Sequence, residues 1–162
     1  MLKTTLRLVI CSGLLLSVLL TGCTIVKTAT PAPVGTKIGT IYVQRNPNVH
    51  MSGLHDEIIQ QLRRLGFSAV TTEGDRPAAA KNLMTYTANW RWDMAMYLTY
   101  FQVTLLDDTR ILGRAEYDAT RGDVRMDKFG KTAEKIRPLL QDLLQNTEKT
   151  PAAASMMGPV RP

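Results

Sequence analysis

The stretch NLMTYTANWRWDMAMYLTYFQVTLL, Asn82 to Leu106, decides the fold. In its first half Met84, Tyr86, Ala88, Trp90 and Trp92 fall at every second position, and Thr85, Thr87, Asn89 and Arg91 alternate with them. A period of two sends successive side chains to opposite faces of an extended chain, so this half predicts a strand with one buried and one wet face. After Asp93 a second strand, Met94 to Leu106, is apolar on both sides. Met94, Met96, Leu98 and Tyr100 mark one face, and Ala95, Tyr97, Phe101, Val103 and Leu105 the other. The turn LDDTR, with Asp107 and Asp108 as solvated turn formers, leads into a third strand, Ile111 to Tyr117. Three antiparallel strands in succession make a meander.

On the N-terminal side, IGTIYVQ (Ile38 to Gln44) has the β-branched and aromatic content of a strand and stops at RNPN, where Pro47 has no N–H to donate. Leu54, Ile58, Leu62 and Leu65 recur at helical spacing, with Ser52 expected as cap and Gly66 as left-handed stop. FSAVTT (Phe67 to Thr72) then predicts a strand parallel to the first through a right-handed crossover. On the C-terminal side, KFGKTAEKIRPLLQDLL places Phe129, Ala133, Ile136, Leu140, Leu143 and Leu144 on one helical stripe capped near Thr132. A start near Thr132 puts Pro138 inside the helix, where it removes a hydrogen bond and kinks the axis; a start at Arg137 puts it in the first turn, where it is tolerated. These elements predict an α/β (α+β) two-layer sandwich, a mixed sheet of about five strands in β-α-β-β-β-β/α order with two helices on one face.

The flanks read differently. Thr24 to Lys37, with Thr28, Thr30, Pro31, Pro33 and Gly35, has no apolar periodicity and predicts a flexible tether. Thr147 to Pro162, ending TPAAASMMGPVRP, predicts a flexible tail. Residues 23–37 are thus expected as tether, 38–146 as one α/β domain and 147–162 as tail.

Residues 1–22 read as a signal peptide. Lys3 and Arg7 precede Leu8 to Leu20, a mostly apolar run that falls short of the ~20 residues of a spanning helix. The run ends on LTGC, Leu20 to Cys23, which resembles the lipobox of bacterial lipoprotein precursors. The resemblance implies cleavage before Cys23 by lipoprotein signal peptidase. It also implies a diacylglyceryl group on the Cys23 thiol and an acyl chain on the new amino group, together enough for stable membrane anchoring. Thr24, where an aspartate would resemble an inner-membrane retention signal, implies outer-membrane delivery with the domain facing the periplasm. The other reading of Cys23 is an ordinary thiol behind a signal peptide cut elsewhere. Cys11 lies inside the leader, so no internal disulfide is expected after cleavage. Farther along, YTANWRWDMAMYL, GRAEYDA, KF and AEKIRPLLQDLL resemble a family of small, functionally uncharacterised proteobacterial envelope lipoproteins. That likeness implies fold and class only.

The chain carries a formal charge of +6, and losing Lys3 and Arg7 with the leader brings it to +4. This mild surplus is not a nucleic-acid-binding composition; it suits a domain with surface arginines beside an anionic membrane. His50 and His55 stand five apart, a poor match to the three or four that place two ligands on one helical face, so no metal is expected. Nothing resembles a nucleophile elbow, a phosphate-binding loop or a dinucleotide turn, and a hydrolase built on His55 and Asp56 would need a nucleophile that no motif supplies. No enzyme and no cofactor beyond the lipid on Cys23 are expected. RGD, Arg121 to Asp123, reads as a chance tripeptide.

Two features point to binding. Trp90 and Trp92 share a face with Arg91 and Asp93 close by: either the indoles pack helices onto the sheet, or they form a stacking platform for a small ligand or glycan. The doubly apolar strand leaves a strip on the uncovered sheet face, Tyr97 and Phe101 or Met96 and Tyr100, to meet an envelope protein or lipopolysaccharide, unless the tail SMMGPV covers it.

Overall fold

The computed structural model describes residues 25–120 and 126–150. The chain runs β1 (Val26–Thr30), β2 (Thr36–Ile38), β3 (Ile41–Gln44), α1 (Leu54–Arg64), β4 (Ala69–Thr72), β5 (Asn82–Asp93), β6 (Ala95–Asp107), β7 (Arg110–Asp118), a 3-10 turn (Met126–Phe129), α2 (Thr132–Leu144) and β8 (Thr147–Lys149). Six strands form one mixed sheet in the order β1-β7-β6-β5-β3-β4, and β2 pairs with β8 in a small parallel ladder. The two helices contact each other, and α2 lies against β7, β1 and β6. The two-layer α+β sandwich predicted above is therefore the observed architecture, with six strands in the main sheet.

Core-facing positions follow the expected alternation. Ile41 and Val43 of β3, Met84, Tyr86 and Ala88 of β5, and Phe101, Val103 and Leu105 of β6 are buried beneath Ile58, Leu62, Ile136, Leu140 and Leu143 of the helices. β3 pairs in parallel with both β4 and β5, as the crossover through α1 requires. Gly66 ends α1 with φ 87°, a conformation that costs glycine little. The start of α1 differs from expectation. Gly53, in the left-handed region at φ 86°, stands at the N-cap and no side chain caps the helix, so Ser52 has no such role. Lys131 likewise precedes α2 without a side-chain cap, and Pro138 lies inside that helix, where the Glu134 carbonyl loses its regular partner.

The flanks are corrected more substantially. The segment expected to be a tether holds β1, bonded along all five residues to β7 from Val26 opposite Asp118 to Thr30 opposite Arg114. It continues into Ala32, fully buried, whose N–H donates to the Leu143 carbonyl at 3.0 Å. Gly113 makes this possible: a Cβ there would stand 2.6 Å from the Thr30 carbonyl oxygen and 2.7 Å from a Leu143 methyl. The expected strand Ile38 to Gln44 is split, because the chain changes sheets at Gly39, whose N–H donates to the Asn82 side-chain oxygen at 3.1 Å. The expected tail supplies β8, so the fold extends past residue 146. The signal peptide, Cys23, Arg121 to Asp123 and SMMGPV lie outside the described residues.

Candidate functional site

The register of β5 against β6 locates the site. Met84, Tyr86 and Ala88 oppose Leu105, Val103 and Phe101, then Asn89 opposes Tyr100 and Trp90 opposes Leu98, leaving Thr99 as an extra residue. A bulge of this kind bends its strand and shifts the alternation by one. Thr99 is buried and serves both neighbours: its Oγ1 donates to the Asn89 carbonyl at 3.0 Å, and its carbonyl accepts from Ala119 N–H at 2.7 Å. Phe101 and Leu98 consequently both enter the core, although simple alternation separates them.

The shift overturns the apolar strip expected on the uncovered sheet face. Phe101 is fully buried in the core and Tyr97 is buried against Phe129 in an edge-to-face contact at 5.5 Å. Tyr100 does lie on the uncovered face, but as a polar group: its hydroxyl donates to Glu116 Oε2 at 3.1 Å and Gln102 Nε2 reaches both. Burial first, then the Glu116 hydrogen bond, raises the Tyr100 pKa above its ordinary value. Cross-strand partners share a face, so Thr85 and Thr104, Thr87 and Gln102, and Arg114 with Glu116 on β7 complete a surface of hydroxyls, amides and charges.

Exposed apolar surface lies instead at the end of the β5–β6 hairpin. Beyond the row Val26, Asp118, Tyr100, Asn89, which crosses β1, β7, β6 and β5, only those of the hairpin continue among the described strands. Its tip turns through Met94, which has φ 60° and is 87% exposed; Trp92 is 73% and Met96 53% exposed. A left-handed conformation costs a side-chain-bearing residue roughly 1–2 kcal/mol, so the tip carries strain. Among the described residues, seven large apolar side chains are exposed. Five of them, Val26, Trp92, Met94, Met96 and Met126, belong to this end of the sheet. Val34 follows the far end of β1, and Ile111 stands near the start of β7, opposite Leu106, at the other end of the sheet.

The hairpin is rooted from below. Lys128, itself buried, donates to Asp93 Oδ2 at 2.6 Å and sits 5.1 Å from the Tyr97 and Phe129 ring centres. Lys135 donates in turn to the Lys128 carbonyl. Trp90 packs against the core, whereas Trp92 opposes Met96 in solvent, with Arg91 exposed between the two indoles. The tryptophan pair is thus divided: one ring is partly buried against the core and the other projects from the hairpin.

His55 is a core group. Its Nδ1 lies 3.2 Å from the Tyr86 hydroxyl and its Nε2 2.9 Å from Thr71 Oγ1, while Asp56 is exposed. Burial, then the nearby Arg45 cation, holds the imidazole pKa below its usual value. Arg45, Glu73 and Tyr86 line an open cleft of about 500 Å³ beside it. Among the described residues no group of three histidine, cysteine or acidic side chains is arranged to hold a metal, and no helix is long and apolar enough to cross a membrane.

No protein-family model matches the chain, and neither does any curated protein. Solved structures do match in fold. Two structures of the PelC dodecamer from Paraburkholderia phytofirmans superpose with a TM-score of 0.51 each. They are 13% and 12% identical to this chain over 77% of its length, which spans 100% and 99% of theirs. At such identity the likeness concerns the fold: nearly the whole PelC chain has a counterpart in this two-layer sandwich.

Proposed function

We propose that this protein is a lipid-anchored envelope protein, held through Cys23 at the outer membrane with its fold facing the periplasm. On this reading it works without catalysis, by binding another envelope component, protein or lipopolysaccharide. The observation that carries the proposal is the hairpin Trp90 to Leu98, which holds Trp92, Met94 and Met96 in solvent and is fixed near its tip by the ion pair of Asp93 with the buried Lys128. Contiguous apolar surface on a fixed support is a mark of interaction sites. The binding surface is therefore the hairpin end and not the uncovered sheet face, whose polar network is satisfied within itself. The fold neighbours are dodecamers, which adds a second copy of this chain to the partners such a surface suits.

Site-specific photocrosslinking in intact cells tests this reading. Probes at Trp92 and Met96 are expected to yield a defined adduct in the membrane fraction, and probes at Thr87 and Gln102 none. Absence of any adduct from both hairpin positions would sink the proposal.

A further inference from the structure

The topology sets a third surface, the membrane itself, against the hairpin end in place of a protein or lipopolysaccharide. Resting on the proposed function and its lipid at Cys23, we infer that the hairpin end is seated on the membrane surface that holds the anchor, with Trp92, Met94 and Met96 entering its interfacial layer.

Chain length is the first argument. Cys23 precedes Ile25 by two residues, and extended chain spans at most ~3.6 Å per residue, so the lipidated residue lies within about 7 Å of Ile25. The next residue, Val26, is already bonded into the sheet opposite Asp118. So short a connection keeps the sheet end bearing Val26 close to a bilayer that holds the lipid of Cys23.

Direction is the second. β1 enters the sheet at the row Val26, Asp118, Tyr100, Asn89, and β5 leaves the same row toward Asp93. The four residues from Trp90 to Asp93 carry the ribbon roughly 13 Å farther at ~3.3 Å per residue, about three strand spacings to one side of β1. A membrane that receives the acyl chains of Cys23 therefore meets the hairpin tip.

Composition is the third. The tip presents Trp92 with Met94 and Met96 around Asp93, whose charge is paired with Lys128; Met126 is exposed in the adjoining 3-10 turn, and the exposed Arg91 offers a cation for headgroup phosphates. Tryptophan with apolar neighbours and a snorkelling cation is the chemistry of an interfacial contact. The opposite end of the ribbon carries Asp107, Asp108 and Arg110, a turn suited to water.

The test uses the acylated protein reconstituted in vesicles of phosphatidylethanolamine and phosphatidylglycerol, with Trp90→Phe leaving Trp92 as sole tryptophan. Mass spectrometry of the same sample reads the lipid on Cys23. Acylated protein is expected to show blue-shifted Trp92 emission, quenched by lipids brominated in the upper acyl chain and insensitive to iodide. Met94→Asp with Met96→Asp is expected to restore iodide quenching while the protein stays on the vesicles. Acylated protein whose Trp92 is quenched by iodide and untouched by brominated lipid overturns the seating and leaves the anchor standing. Shielding from both quenchers assigns the hairpin to a second copy or another protein and also overturns it. Cys23 without lipid overturns the anchor and the seating together. Should Trp90→Phe fail to fold, the difference between wild-type and Trp92→Phe signals supplies the same reading.

Discussion

The same two strands, β5 and β6, build a polar surface along one part of their length and an apolar one along another. Between Asn82 and Asn89 their uncovered side carries Thr85, Thr87, Gln102 and Thr104 beside the single apolar pair Leu83 and Leu106, and Met84, Tyr86, Ala88, Phe101, Val103 and Leu105 are in the core under the helices. Past the bulge at Thr99 the described residues offer only the 3-10 turn Met126–Phe129, which covers Tyr97, and Trp92, Met94 and Met96 remain in water. The contrast teaches that apolar content measures demand for burial, while the neighbouring elements decide where burial is available. Where the sheet has a helical layer the demand is met inside the chain; where the ribbon outruns that layer it is left for something outside.

Mutations break this contrast unequally. Phe101→Ala, in the covered part, is expected to cost about 3–5 kcal/mol in urea unfolding, whereas Trp92→Ala, in the uncovered part, stays within about 0.5 kcal/mol. Comparable losses at the two positions would contradict the division. Gly113→Ala pushes a methyl into the Thr30 carbonyl and Leu143, and an overpacking cost of about 1–3 kcal/mol is expected. Faster amide exchange along β1 is the accompanying sign, since β1 ties the N-terminal segment to the hairpin end. Lys128→Met removes the tie to Asp93; half of Asp93 is already in water, so the loss is about 1 kcal/mol, seen as faster exchange in the hairpin and not in β3 or β4.

Smaller effects of pH separate the two faces of the sheet. His55 has a lowered pKa in the fold, so the unfolded chain binds the proton more readily and stability falls as pH drops below the ordinary 6.5. Tyr100 has a raised pKa, so the fold keeps its proton longer and stability falls as pH rises above 10.0. Urea midpoints measured across pH are expected to show a flatter acid slope in His55→Gln and a flatter alkaline slope in Tyr100→Phe, the remainder of the latter coming from Tyr86, whose pKa burial also raises. Smallest is Met94→Gly, which relieves the left-handed φ and is expected to raise stability by about 0.5–1 kcal/mol while weakening contact at the hairpin tip. A loss of stability there would show that Met94 packs onto the fold.

Much of the scaffold was legible because it rests on local periodicity. The alternation Met84, Tyr86, Ala88 and the helical stripe Leu54, Ile58, Leu62 are written in consecutive residues, and the helix and strand they predict are present. β1 escaped notice because an edge strand is held by its backbone bonds to β7, and all five of its residues are exposed, so no side-chain pattern marks it. The candidate site was half legible. NWRWD marks the segment that carries the exposed Trp92, but the choice of Tyr97 and Phe101 as surface groups assumed an uninterrupted β6. The polar Thr99 between them was the available signal, and its meaning depends on a partner strand.

The amino-acid sequence by itself determined the meander, the α1 crossover, the two-layer plan and the presence of surplus apolar side chains around Trp92 and Met96. The tertiary structure alone decided which of them are buried, that Gly113 admits the Thr30 to Ala32 segment, and that β1 enters the sheet at the end from which the hairpin projects. The reason is that periodicity is a property of neighbours along the chain. A bulge, an edge pairing and a shared sheet end are properties of residues brought together from far apart, and they exist only once the register between strands has been set.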